Sequence, residues 1–241
     1  MKPLISGKQA EEMLMWIRWA NTDYLVARMM LLQGFLVQGS ILATTTIEKY
    51  LKAVYCYSNM KVPKSHDVAG LYAQLTHKNP SNLDVNPSFL RLLRKAYKLR
   101  YPDELNDGFN IALNQAKLLA QLDRSVFELT KRFDIRKNDQ PVLMVLDEAK
   151  LAHDQRILVR NVAVDPSQIP ALFSQPSQSC DLRNHRGAIF EVFYQTLSVA
   201  DDLIFELDGF VPQNDSQFRL AHLPAQPLAP SPTPPPEPTE P

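Results

Sequence analysis

The chain has 241 residues, of which 45% are hydrophobic, enough to support a sizeable core. Lys plus Arg and Asp plus Glu stand at 26 each, so a zero net charge gives no long-range attraction to nucleic acid or an anionic membrane. No apolar run reaches the roughly 18 residues of a membrane span, the N-terminus lacks a signal-peptide core, and Cys56 and Cys180 fit neither a zinc spacing nor a disulfide framework. The expectation is a cytoplasmic protein with no membrane or nucleic-acid partner.

The first element runs from about Glu11 to Gly34. Met13, Ile17, Ala20, Tyr24, Ala27 and Leu31 recur at steps of four and three, which places them on one helical face. A second helix starts near Gly39 or Ser40, with Ala43, Ile47, Tyr50, Val54 and Tyr57 on one stripe, and Pro63 closes it. A short helix follows over Asp67 to Thr76, then an Asn/Pro-rich loop, HKNPSNLDVNP. Ser88 is expected to cap a helix bearing Phe89, Leu92, Leu93 and Ala96, because its hydroxyl can accept from an orphan amide. Pro102 ends that helix or bends the chain away.

A long helix is then expected from Leu105 to Phe133, with an apolar face wide enough to be buried centrally or shared with a second chain. Beyond Asp134 the stretches PVLMVLDEA and RILVRNVAV, rich in Val and Leu, are expected to form short strands or a hairpin. After the Ser/Gln/Pro-rich PSQIPALFSQPSQS, Ile189, Phe193, Ala200 and Leu203 suggest one more helix over Gly187 to Leu207. From Leu223 the Pro-rich tail has no means of burying a core and is expected to be disordered. The fold class is mainly α. An antiparallel bundle of four to five helices spans residues 1–134, an extension of short strands or loops and one further helix spans 135–222, and the tail spans 223–241.

Four segments, in order, carry a resemblance. WANTDYLVARMML, TTTIEKYLKAVY, VPKSHDVAGLYAQL and LRYPDE together resemble the HEPN domain, the nucleotide-binding domain family of higher eukaryotes and prokaryotes, over residues 10–133. The resemblance implies a helical bundle that pairs with itself as a homodimer. It also implies a nucleotide or other phosphate-bearing ligand, and in some systems a small nucleotidyltransferase as partner. Ribonuclease toxins of the family carry an Arg, four to six residues, then a His. None of His66, His77, His153, His185 and His222 follows an Arg at that spacing; after Arg100 the corresponding positions hold Leu105, Asn106 and Asp107. The chain therefore departs from the nuclease pattern, and no catalytic residue is assigned.

Residue by residue, the chemistry is sparse. Glu48 and Lys52 sit four apart, the spacing of an exposed helix pair, while Lys49 and Lys52 could instead border a phosphate groove. His66 and Asp67 stand at a helix start, where Asp67 can cap. Arg100, after Lys95 and Lys98 in the basic run RLLRKAYKLR, can pair with Asp103 or Glu104 or meet a phosphate beside Tyr101. The ligand-binding candidates are Lys49, Lys52, His66, Arg100 and Tyr101. Asp201 and Asp202 are adjacent and point apart on a helix, so no metal site is expected, and no cofactor motif is present. The functional expectation is a non-catalytic, dimeric binding or assembly module. The alternative is a toxin–antitoxin-type component, either an RNA-cleaving toxin or the helical partner of a nucleotidyltransferase.

Overall fold

Helix α1 (Gly7–Leu32) and helix α2 (Leu36–Tyr57) form a long antiparallel hairpin. The apolar steps of four and three explain α1: Met13, Ile17, Ala20, Tyr24, Ala27 and Leu31 are all buried. Gly34 ends it in the left-handed region at φ +84, which costs glycine least. Gly39 lets the hairpin close, since a Cβ there would stand 2.6 Å from Leu31 Cδ2. The computed structural model describes residues 7–78, 83–137 and 140–196. They belong to one unit, residues 1–209; a second unit, 210–241, lies outside the described residues.

Helix α3 (Val68–Lys78) and helix α4 (Pro87–Ala96) pack on α2 and on each other. Asn86, not Ser88, caps α4: its side chain accepts from the Ser88 and Phe89 amides, while Pro87 takes the first helical position. Two 3₁₀ turns, Tyr97–Arg100 and Pro102–Glu104, follow.

The long helix expected from Leu105 to Phe133 divides. Gly108 turns at φ +80, strand β1 (Asn110–Asn114) pairs with the extension, and only Gln115–Thr130 forms a helix, α5. Asn114 caps α5 by accepting from the Lys117 amide. Of the two fates expected for the apolar face, the central one holds: Leu118, Leu119, Leu122, Val126 and Leu129 are at 0% exposure, with α5 against α1 and α2.

The extension also departs from expectation. After the two-residue strands β2 (Arg136–Lys137) and β3 (Gln140–Pro141), PVLMVLDEA enters helix α6 (Val145–Ala152). RILVRNVAV begins in the short helix α7 (Gln155–Leu158), capped by Asp154. A further short helix, α8 (Ile169–Phe173), precedes strand β4 (Ser177–His185) and strand β5 (Ala188–Thr196). The helix expected over Gly187 to Leu207 is thus a strand as far as Thr196. The remainder of that stretch, Asp201, Asp202 and the tail of residues 223–241 lie outside the described residues. Positive φ at both Arg186 and Gly187 gives the two-residue hairpin turn whose twist suits paired strands.

The sheet is antiparallel in the order β1-β4-β5, with Leu113 opposite Cys180 and Cys180 opposite Phe193. One core cluster runs from Met13 through the helices to Met144, Leu146, Ile157, Cys180 and Leu182. A smaller one joins Ala116 and Ala120 of α5 to Val162, Leu172 and Phe173. Fully burying each large apolar side chain contributes about 1.5–3 kcal/mol. The fold is mainly helical, with a small antiparallel sheet completed by the extension.

Candidate functional site

The polar edge of α2 is built from an unusual burial. Lys52 donates to Glu48 at 2.7 Å, and the two side chains are only 6% and 7% exposed, so the exposed pair expected from spacing is instead enclosed. Trp16 of α1 is the reason: its ring centroid lies 5.0 Å from the Lys52 ammonium. A carboxylate so enclosed needs its lone pairs filled. Besides Lys52, His66 Nδ1 stands 3.0 and 3.1 Å from the two Glu48 oxygens.

His66 is carried by the segment between α2 and α3, whose end is fixed when Asp67 accepts from the Gly70 amide. Its imidazole stacks on Tyr97 at 5.7 Å between centroids and 12° between planes. With Nδ1 given to Glu48, Nε2 is the nitrogen left to meet a ligand, and the side chain is 58% exposed. Arg100 reaches the same tyrosine. Its Nη1 donates to the Tyr97 hydroxyl at 3.2 Å, and its guanidinium carbon lies 5.1 Å from the Tyr97 ring and 5.7 Å from the Tyr101 ring. Arg100 is thus engaged by aromatics rather than by Asp103 or Glu104.

Lys49 stands apart. Its ammonium is 2.5 Å from Asp23 Oδ2, an oxygen that also accepts from the Thr45 hydroxyl. It lies 5.9 Å from the Trp19 ring, and Trp19 meets Trp16 edge to face. The two lysines are therefore separated by a tryptophan pair, each neutralised by its own carboxylate. Of the five candidates, Lys52 and His66 are joined through Glu48, His66 and Arg100 meet on Tyr97, and Tyr101 meets Arg100.

The exposed part is a guanidinium, an imidazole and the Tyr101 ring, with Tyr97 half-buried. Arginine recognises phosphate or carboxylate by paired N–H donors, and a tyrosine face can stack on a planar ring. Burial pushes the Cys56 thiol up to about 11 and the Cys180 thiol up to about 12, so neither is a nucleophile near neutrality. Among the described residues no group of three or more His, Cys, Asp or Glu could hold a metal ion, and no helix is long and apolar enough to cross a membrane.

Sequence reasoning missed Trp16, Trp19 and Tyr97. The signal was there for Tyr97, the single aromatic inside RLLRKAYKLR, but stacking on a residue 31 positions earlier has no local signature. The family model described as HEPN domain matches residues 13–133. No curated protein and no solved structure matches the chain.

Proposed function

Because the chain belongs to the HEPN domain family, we propose that it is a non-catalytic, dimeric binding module whose His66–Tyr97–Arg100–Tyr101 edge takes a phosphate-bearing ligand, a nucleotide first of all. One observation carries this reading: a single ring, Tyr97, touches both the imidazole and the guanidinium. Arg100 supplies charge-assisted donors to the phosphate, His66 a further donor when protonated, and Tyr101, 45% exposed, a stacking face. The buried Glu48–Lys52 pair positions His66, while Lys49, paired with Asp23, stays outside the edge.

The experiment is a thermal-shift screen of nucleotides at fixed salt. Binding to the folded state alone adds about 2.7 kcal/mol at a hundredfold excess over Kd. In a chain of this size that raises the midpoint by roughly 5–10 °C. The shift should vanish in Arg100→Ala and shrink in His66→Ala. No shift with any nucleotide at millimolar concentration sinks the reading.

The same observation favours one alternative, an RNA-cleaving site. An imidazole and the Arg100 guanidinium meet the same ring, Tyr97, although no histidine follows Arg100 at the nuclease spacing. Purified protein incubated with RNA distinguishes the two. The binding reading expects intact RNA, whereas cleavage abolished by both His66→Ala and Arg100→Ala favours the enzyme.

A further inference from the structure

Strand β5 is the most exposed element in the sheet. Ile189, Phe190, Val192, Phe193 and Tyr194 are each 38–51% exposed, and they stand on both faces of the strand. Register explains why. Cys180 and Leu182 of β4 are buried in the core, and the residues opposite them are Phe193 and Glu191. The sheet therefore extends one strand beyond the bundle that covers it. Among the described residues β5 is also the edge, its outer rim carrying no further strand.

Edges of this kind are ordinarily blunted by Lys, Pro, a bulge or brevity. AIFEVFYQT has no Lys or Pro and is not brief: it is nine residues long, about 30 Å, and its one charge is Glu191, paired across from buried Leu182.

We propose that β5 is the surface on which a second copy of this chain docks, edge to edge and antiparallel, making one continuous six-stranded sheet. The proposal rests on the dimeric reading given above and assigns it a place outside the helices. The occupant is chosen by self-complementarity. Centred on Val192, the strand sets Phe190 opposite the other copy's Tyr194, twice, on one face. On the other face Ile189 meets Gln195 and Glu191 meets Phe193, so no like charges stand directly opposed. Aromatic and β-branched cross-strand pairs are those that strengthen a sheet. Centring on Glu191 would oppose two carboxylates, which argues against that register. Three half-exposed aromatics per copy bury roughly 600 Å² in the pair, and Ile189, Val192 and the backbone bring the total towards about 1,000 Å². That total, an upper figure because both sheet faces stay partly in solvent, lies at the low end for a specific interface, so assembly should depend on concentration.

The test is light scattering coupled to size exclusion on the full chain, from low to high micromolar concentration, with wild type beside Val192→Lys/Phe193→Lys. Both positions are exposed, so an unchanged circular dichroism spectrum and a cooperative melt show that the variant folds. Wild type should reach twice the chain mass, with a dimer Kd at least 100-fold tighter than that of the variant, and its Ile189–Gln195 amides should gain protection from hydrogen exchange as concentration rises. A dimer that survives the two lysines overturns the surface while leaving the dimeric reading. A wild-type monomer at high micromolar concentration overturns both. If that monomer's β5 amides are protected at every concentration, its own chain occupies the edge. None of these outcomes bears on nucleotide binding, which is read by a different measurement.

Discussion

A guanidinium with no exposed surface, that of Arg28, is held by Asp123 of α5 and by the backbone carbonyls of Arg156 and Val159. Tyr24 donates to the same Asp123 at 2.8 Å and accepts from Asn161 at 3.0 Å. A buried charge is tolerable only while every partner is present. Asp123→Ala should therefore destabilise the chain by about 3–5 kcal/mol, because it strands a buried cation. Arg28→Met/Asp123→Leu, which removes both charges, should recover most of that loss. Denaturant melts of the two variants decide it: equal losses would mean that Asp123 matters for its shape alone. Sequence reasoning passed over Arg28, although its position was a signal. It lies four residues after Tyr24, on the apolar stripe of α1, where a solvated arginine has no place.

At the scale of elements, α1 to α4 were readable because several turns of apolar periodicity outweigh any local ambiguity. The C-terminal half was not, for a definite reason. Ile189 and Phe193 are four apart, a step that returns to the same face in a strand as well as a helix. The breakers around them carried the information instead: Asn106-Asp107-Gly108 before β1, and Arg186-Gly187 between β4 and β5. Asn114 joins the two halves. It caps α5, and its amide donates to the Ser177 and Ser179 hydroxyls of β4 at 3.0 and 2.9 Å. Asn114→Ala should cost about 1 kcal/mol for the cap. Losing both bonds to β4 adds roughly 1–3 kcal/mol. Asn114→Asp keeps the acceptor and discards the donors, so its melting midpoint should fall between the other two. A midpoint equal to that of wild type would assign the whole effect to the cap. The candidate site was half legible: its charged residues stand out in sequence, but the rings that group them meet only in the fold.

For the whole molecule, the match to residues 13–133 and the extent of the core do not coincide. Met144, Val145, Leu146, Ala149, Ile157, Cys180 and Leu182 share the main cluster with the bundle, and among the described residues β1 pairs with β4 alone. A chain ending at Asp134 should accordingly show no cooperative thermal transition, although it holds the matched region. A two-state melt within a few degrees of the full chain would refute this and make the extension an accessory. The same long reach sets an order on folding during synthesis. Arg28 emerges early, but Asp123 follows it by 95 residues and Val159 by 131. At the usual 5–20 residues per second, that is a wait of roughly 7 to 26 seconds. Throughout that interval the first helical hairpin carries a cation on the face it must eventually bury. The hydrogen-bond partners of Arg28 lie in α5, in α7 and just beyond, none of them in α2, so this face of the hairpin gains its full set of contacts only once Val159 has been made.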